Sequence, residues 1–399
     1  MPRRLLLLRA LIATGFAVSA FGRMPPAVAV PPRWIQDIDQ AIGRHDVSVA
    51  IGLDGRWLYR HGARTLRTPA SNEKLLLSMA LLQRASATTR IRTEAFATAR
   101  PRAGVIRGNL WIVGHGDPEV DRGRIAALAR AIRAAGVTRI RGGVMGAVTG
   151  FRRDWWAPGW RDYFPADYIP LPTALTFEGN EDVRGAHIRD PERRAARSLT
   201  NRLEAIGVKV RRESGAGDPP ARLRWLATVR SDPFALLLRR MNHRSRNFTA
   251  EVLGKWLGAR AIGPPGSIAK AGEAIERFGA SHGAAIVAHD ASGLSYRNRV
   301  RAEDIVELLW WAEAQPWLPT LRLSLAPGDH GTLEDRLRDV RVRAKTGTLE
   351  DISALSGWVW MERIGTWCEF SILSRGMSKS DAIAIEDRIV RIVANRVSS

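Results

Sequence analysis

Residues 69–82 read PASNEKLLLSMALL, a polar stretch with Ser71 and Lys74 that passes into a largely apolar run. The run predicts a helix that is buried on nearly all sides, with Ser71 near its first turn. A residue three positions along a helix lies one turn away on the same face, so Ser71 and Lys74 are expected to meet. Because a serine hydroxyl is a weak nucleophile until a nearby base takes its proton, this spacing predicts a serine activated by a lysine.

The same spacing occurs again at Ser267 and Lys270. A pattern this short is expected by chance roughly once in a chain of this size. Ser267 follows a Gly-Pro-Pro-Gly stretch instead of opening an apolar run. We therefore interpret the second copy as coincidental.

A second motif, Ser245-Arg246-Asn247, lies far downstream of Ser71. In an extended segment or a tight loop, side chains two positions apart project to the same side, so Ser245 and Asn247 can reach one cleft. A hydroxyl there can relay a proton, and an amide can hold a substrate amide. The motif therefore predicts two further polar groups beside the serine.

A third motif, KTGT at residues 345–348, lies in a β-branched and aromatic stretch that predicts a pair of strands. The charge of Lys345 and the threonine hydroxyls suit a substrate carboxylate, and the strand edge suits a peptide that adds as an extra strand. The backbone N–H groups of Thr348 and Ser71 are expected to form an oxyanion hole. Lys74 must be partly neutral near pH 7 to act as a base, which burial and the charge of Lys345 would favour.

The three motifs in this order form the signature shared by penicillin-binding proteins and class A β-lactamases. More closely, the chain resembles the D-alanyl-D-alanine carboxypeptidase/endopeptidase family, the class C low-molecular-mass penicillin-binding proteins. The similar stretches are spread along nearly the whole mature chain and lie at residues 69–75, 108–110, 114–118, 157–160, 290–295, 331–333 and 343–349.

The resemblance implies a serine DD-peptidase that cleaves D-Ala-D-Ala termini, and often D-alanyl cross-links, of peptidoglycan stem peptides and is acylated by penicillins. The reaction of such a peptidase needs neither a metal nor a cofactor. The implied catalytic residues are Ser71 as nucleophile, Lys74 as its base, Ser245, Asn247 and Lys345. The implied substrate-binding residues are Thr346, Gly347 and Thr348.

Three departures from the family pattern stand out. Arg246 occupies the middle of the second motif, where many relatives have a small or acidic residue, and would change which substrate side chains fit. Ala291 replaces a glycine in the stretch DASGLS, so a tight turn there is expected to differ. The stretch between Ser71 and Ser245 is shorter than in full-sized members, as if one of their two inserted domains were missing.

Residues 1–29 are typical of a secretory signal peptide, with two early arginines, an apolar run over residues 5–21 and an Ala-Val-Ala ending. The alternative is an uncleaved membrane helix. Arg9 and Arg23 bracket only 13 residues, however, whereas a bilayer crossing needs roughly 20. The sequence therefore predicts an exported protein that acts in the periplasm or elsewhere outside the cytoplasm.

The 399 residues support two domains. Strand patterns at residues 47–53 and 57–60 flank Asp54-Gly55, a hairpin turn signal, and residues 352–361 and 366–374 predict a second hairpin. A helix is expected at residues 381–397. We predict an α/β (α+β) fold in which a β-lactamase/transpeptidase-like domain, an antiparallel sheet covered by helices, is interrupted by a smaller inserted α/β domain. The catalytic domain would comprise residues 30–90 and 227–399, and the inserted domain residues 91–226.

The inserted block contains strand-like runs at residues 110–113 and 144–148 and a helix at residues 124–135. Its tryptophan-rich loop at residues 155–160 suits either sugar stacking or anchoring of the loop between the domains, and we favour anchoring. His115 and Asp117 resemble an acid/base pair, but we interpret them as part of a turn.

Composition narrows the possible partners. The single cysteine, Cys368, excludes an internal disulfide and predicts a buried thiol, and the eight histidines show no metal-binding spacing. The net charge of +21 comes with no nucleic-acid motif. It is consistent either with non-specific attraction to anionic envelope polymers or with an arginine-rich composition alone.

Two other functions remain possible from sequence. A serine β-lactamase would use the same serine and lysine but needs a glutamate that holds the hydrolytic water, and the inserted block has no E-x-x-L-N-type segment. A catalytically inactive cell-wall-binding relative would not need the intact motifs. We therefore favour the DD-peptidase and leave open whether it acts as a carboxypeptidase or an endopeptidase.

Overall fold

The structure is a computed structural model that describes residues 32–396, so the predicted export segment, residues 1–29, lies outside the described residues. The first elements are α1 (Arg33–Ile42), β1 (Val47–Leu53), β2 (Arg56–His61), a 3₁₀ turn (Ala70–Asn72) and α2 (Glu73–Arg84). Asp54 and Gly55 both have positive φ, as a two-residue hairpin turn requires, so the predicted hairpin is confirmed.

The middle of the chain alternates short strands with helices. Its elements are β3 (Arg92–Ala97), β4 (Val105–Ile106), β5 (Leu110–Gly114), α3 (Arg122–Ala134), β6 (Arg139–Ile140), β7 (Val144–Ala147), α4 (Phe164–Asp167), a 3₁₀ turn (Glu178–Asn180), α5 (Pro191–Ala205), β8 (Lys209–Val210), β9 (Gly215–Gly217) and β10 (Arg224–Arg230).

The remainder is a run of helices followed by strands. Its elements are α6 (Phe234–His243), α7 (Asn247–Ala261), α8 (Ile268–Ala280), α9 (Ala302–Glu313), α10 (Leu318–Ser324), β11 (Ala326–Pro327), a 3₁₀ turn (Gly331–Leu333), β12 (Val342–Leu349), β13 (Ile352–Met361), β14 (Thr366–Arg375) and α11 (Lys379–Ala394).

Strands from both ends of the chain form one antiparallel sheet in the order β11-β12-β13-β14-β1-β2. Apolar side chains of α1 and α11 cover one face, including Ile38 and Ile389. On the other face, α9 packs on the sheet, and α2, α6, α7 and α8 belong to the same apolar cluster, with α2 buried from Glu73 to Leu82. The predicted fold, an antiparallel sheet covered by helices, is therefore confirmed.

The middle strands form two further sheets, ordered β10-β3-β5-β7-β9 and β4-β6-β8, that share no strand with the six-stranded sheet within residues 32–396. Helices α3 and α5 pack on them through a core of their own. Strand β10 continues to Arg230, beyond the expected boundary at residue 226. The division into residues 30–90 and 227–399 against residues 91–226 stays a prediction.

None of the helices in residues 32–396 combines the length and the apolar character needed to cross a bilayer.

Candidate active site

Ser71 lies on the 3₁₀ turn at Ala70–Asn72, directly before α2, in agreement with the prediction that it lies near the first turn of the helix. Ala70 has a φ of 47°, which is unfavourable for a residue with a side chain. Two glycines hold this turn in place. A Cβ on Gly293, where φ is 81°, would lie 1.9 Å from the Ala70 carbonyl oxygen, and a Cβ on Gly347 would lie 2.8 Å from the Pro69 oxygen. The serine turn is therefore fixed between the Gly293 loop and β12.

Lys74 is fully buried, and its Nζ makes three hydrogen bonds. It donates to Ser71 Oγ at 2.9 Å and to Asn247 Oδ1 at 2.9 Å. Its third acceptor is the backbone oxygen of Ser292 at 2.5 Å. The predicted Ser71–Lys74 pair is formed, and two segments distant in sequence, at Asn247 and Ser292, also fix the position of the amine.

Burial lowers the pKa of Lys74 from 10.5 to about 8, although the negative charges of Asp290, Glu251 and Glu73 oppose this change. Burial, followed by repulsion from Lys74, lowers the pKa of Lys345 well below its usual range. The expectation that Lys345 helps to neutralise Lys74 is therefore revised, because burial is what lowers the pKa of Lys74.

Ser245 and Lys345 form a second pair, with Lys345 Nζ donating to Ser245 Oγ at 3.0 Å and to the Thr346 backbone oxygen at 2.8 Å. Ser245 lies between α6 and α7 with a φ of 51°. The next residue, Arg246, is exposed. Asn247 begins α7, and its Nδ2 donates to the backbone oxygen of Tyr168 at 3.3 Å. The second motif thus contacts both lysines, as the sequence predicts for groups that share one cleft.

The KTGT strand keeps one edge open. In the described part of the chain, β11 pairs with β12 only at Ala344 and Arg343, whereas β13 pairs with its full length. Thr346 is half-buried and Thr348 is exposed beyond that pairing. A peptide can therefore add to this edge beside Lys345, although the binding roles of Thr346, Gly347 and Thr348 stay predictions.

Sequence reasoning quoted the DASGLS stretch without assigning it a role. Asp290 accepts hydrogen bonds that fold this loop against the serine turn, from Trp160 Nε1, Ser292 Oγ, Gly293 N, Ser295 N and Asn298 Nδ2. The positive φ of the loop lies at Gly293 and not at Ala291. Position 291 therefore does not need the conformational freedom of a glycine, and the expected difference in the turn stays a prediction.

Other predictions concern residues outside the cluster. Ser267 caps α8 by accepting from Lys270 N, while Lys270 Nζ donates to Gly263 and Pro265 backbone oxygens, so the second serine–lysine copy forms no pair. Asp117 accepts from Glu119 N in a turn, as predicted. Within residues 32–396, no group of His, Cys, Asp or Glu is arranged to hold a metal ion.

The tryptophan-rich loop at residues 155–160 is held mainly by contacts with the rest of the protein, and little of it is exposed for sugar stacking. Trp155 Nε1 donates to the Ile169 oxygen, and Trp160 Nε1 donates to buried Asp290 at 2.7 Å. Only Trp156 is well exposed, at 47%. Cys368 is fully buried, as predicted.

Solved structures share this architecture. Penicillin-binding protein 4 (dacB) from Haemophilus influenzae superposes with a TM-score of 0.79 at 16% identity, covering 91% of this chain and 99% of that one. A predatory endopeptidase, Bd0816, from Bdellovibrio bacteriovorus has a TM-score of 0.54 at 16% identity and covers 88% and 93%. At these identities the likeness concerns the fold.

Sequence comparison gives the family. A D-alanyl-D-alanine carboxypeptidase from Actinomadura sp. (strain R39) is 28% identical, covering 84% of this chain and 78% of its own. Carboxypeptidase DacB from Mycolicibacterium smegmatis is 29% identical, covering 83% and 76%. The profile of the D-Ala-D-Ala carboxypeptidase 3 (S13) family matches residues 38–183 and 174–396. The chain therefore belongs to the D-Ala-D-Ala carboxypeptidase 3 (S13) family of serine-type carboxypeptidases.

Proposed function

We propose that this protein hydrolyses D-alanyl-D-alanine termini, D-alanyl cross-links, or both, in peptidoglycan stem peptides through an acyl-enzyme on Ser71. The observation that carries the proposal is the fully buried Lys74, whose Nζ lies 2.9 Å from Ser71 Oγ. Because the pKa of Lys74 is about 8, a useful fraction of this amine is neutral near pH 7. The neutral amine has a lone pair and can accept the serine proton.

Acylation begins when the proton of the Ser71 hydroxyl moves to the neutral Lys74 amine. Ser71 Oγ then attacks the carbonyl carbon of the penultimate D-alanine, and the carbonyl oxygen takes up the negative charge. The backbone N–H groups of Ser71 and Thr348 would bind that oxygen. Asn247, held between Lys74 and the Tyr168 backbone oxygen, keeps the amine aimed at the serine.

The leaving group needs a proton on its nitrogen. Ser245 would give its hydroxyl proton to that nitrogen and take one in return from protonated Lys345, as the amide bond breaks and D-alanine, or the amine of a cross-link, departs. Lys345 would also attract the terminal carboxylate of the substrate, whose charge favours the protonated form of this buried amine. A water molecule then attacks the carbonyl carbon of the Ser71 ester and gives a proton through Ser245 to Lys345. Lys74 returns its proton to Ser71 Oγ as the ester bond breaks, and the shortened peptide leaves with a new carboxyl group.

The same geometry supports acylation by penicillins, because a β-lactam presents a strained amide and a carboxylate in the positions of the substrate's own. Penicillin-binding protein 4 from Haemophilus influenzae has been determined in complex with a β-lactam. We further propose that residues 1–29 export the protein and that it acts on the cell wall outside the cytoplasm. The net charge of +21 falls to +17 without the four arginines of residues 1–29, and this excess would add non-specific attraction to anionic envelope polymers.

The test is labelling of the mature protein with a fluorescent penicillin, beside Ser71→Ala and Ser267→Ala variants. We expect stable label in the wild type and in Ser267→Ala, and none in Ser71→Ala. D-alanine release from stem pentapeptides and cleavage of cross-linked muropeptides then separate the two peptidase activities. Label that persists in Ser71→Ala contradicts the nucleophile assignment, and fast penicillin turnover would instead indicate a β-lactamase.

A further inference from the structure

A buried glutamate that the proposed mechanism does not use lies behind the serine–lysine pair. Glu251 is on α7, one turn after Asn247, and is fully buried. Its Oε1 accepts from the backbone N–H groups of Ala291 at 2.9 Å and Ser292 at 2.8 Å. Its Oε2 is buried and has no hydrogen-bond partner within the described structure. Burying a carboxylate is energetically costly unless hydrogen bonds or an opposite charge compensate it. The partly compensated position of Glu251 therefore calls for an explanation.

The two amides belong to the backbone segment that binds Lys74. The Ser292 N–H is held by Glu251, and the Ser292 carbonyl accepts the hydrogen bond from Lys74 Nζ. Glu251 thereby limits where that carbonyl can lie. Asn247 contacts the same amine, so α7 fixes Lys74 twice, once directly and once through the loop.

The charged groups around this amine are few and all buried. Asp290, Glu251 and Glu73 raise the pKa of Lys74 when they are ionised, and Lys345 is a second buried amine, whose own pKa is lowered well below its usual range. Glu251 in turn is near Asp290, and it acts on the charge of Lys255, which lies further along α7. Burial raises the pKa of Glu251 to about 8, so its charge and that of Lys74 change over the same pH range.

We propose that Glu251 is a positioning residue for the reaction: it holds the Ser292 carbonyl against Lys74, and its ionised form places a negative charge beside that amine. This inference rests on the proposed acylation of Ser71. Glu251 would thus act in two ways that can be tested separately: through its hydrogen bonds with the Ala291 and Ser292 backbone N–H groups, and through its charge.

Two substitutions separate these properties. Glu251→Gln keeps an oxygen that can accept from both amides but removes the charge, so the neutral form of Lys74 is favoured and the rise of the acylation rate moves to lower pH. Glu251→Asp keeps the charge but is one methylene shorter, so the carbonyl is less well held. We expect the acylation rate constant to fall on the order of 10-fold or more with the pH range little changed.

The matched control is Glu276→Gln. Glu276 makes the same kind of bond to the same stretch of chain, accepting from Ala288 N at 2.9 Å, but Ala288 does not contact Lys74. The acylation rate constant with a fluorescent penicillin is measured from pH 6 to pH 10 for the wild type and the three variants. Circular dichroism and thermal unfolding establish that each is folded.

A lower pH range for Glu251→Gln and a slower reaction for Glu251→Asp, with Glu276→Gln like the wild type, support the proposal. It is overturned if both Glu251 variants match Glu276→Gln, or if both lose rate equally with an unmoved pH range. Should Glu251→Gln not fold, the aspartate variant decides by its rate alone. A wild type that is never acylated overturns the proposed function and this inference together, whereas a normal wild type with unaffected variants overturns only the inference.

Discussion

The acylation rate should rise with pH and level off near pH 8. The reactive form is Lys74 without its extra proton, because only the neutral amine can accept the proton of Ser71. Burial lowers the pKa of this lysine to about 8, so the active fraction grows as the pH rises toward that value. Below it, the rate constant should increase about 10-fold per pH unit.

The size of the effect follows from the pKa change. With a pKa of about 8, roughly one lysine in eleven is neutral at pH 7, whereas at the ordinary value of 10.5 the fraction is roughly one in three thousand. Burial of Lys74 thus multiplies the concentration of active enzyme by about 300 at neutral pH. The hydrogen bonds from Lys74 to Asn247 and Ser292 keep the amine in this buried position.

The assay is stopped-flow acylation with a fluorescent penicillin at several concentrations, from pH 6 to pH 10. It separates the acylation rate constant, on which Lys74 acts, from the binding constant, on which Lys345 and the penicillin carboxylate act. A rate constant that is flat across this range, or that rises only above pH 10, would refute the assignment of Lys74 as the base. A change confined to the binding constant would point to Lys345 instead.

Two further predictions test how the site is held. Gly293→Ala should reduce the acylation rate on the order of 100-fold, because its Cβ would lie 1.9 Å from the Ala70 oxygen and displace the serine turn. The control is Gly283→Ala, at a glycine with a similar φ of 80° and open space around it. This variant should lower the free energy of unfolding by about 1 kcal/mol but leave the acylation rate unchanged. Equal rates for both variants would contradict the role given to Gly293. Trp160→Phe removes an N–H that donates to buried Asp290 and should lower the free energy of unfolding by about 1–3 kcal/mol in urea titrations, whereas an unchanged value would mean that the bond contributes nothing.

The features predicted correctly from the sequence are those set by interactions between residues close together along the chain. The Ser71–Lys74 spacing predicted a contact that a helical turn allows, and Asp54-Gly55 predicted a hairpin because both positions favour positive φ. The same reasoning placed Ser71 near the first turn of the helix but did not predict that this turn is 3₁₀. The reason is tertiary, because the close approach of Gly293 to Ala70 fixes that turn, and nothing within residues 69–82 reveals it.

Contacts between segments far apart in sequence were not predicted, for a related reason. Glu251 is an ordinary helical glutamate by pattern, and its importance comes from a loop 40 residues away along the chain. Asp290 belongs to a stretch that sequence comparison had singled out, but its bond to Trp160 joins segments 130 residues apart. Neither contact leaves a local periodicity or a turn signature, so only the folded chain identifies these partners.

The placement of the motifs explains why the fold spends stability on two buried lysines. Fully burying an amine is unfavourable unless hydrogen bonds replace water. Lys74 obtains its bonds from the 3₁₀ turn, α7 and the Asp290 loop, and Lys345 obtains its bonds from the α6–α7 connection and β12. If one element supplied every contact, a local opening could expose the amines and restore their ordinary pKa. Because several packed elements must separate together, exposure requires large-scale unfolding, and the lowered pKa of Lys74 lasts as long as the fold does.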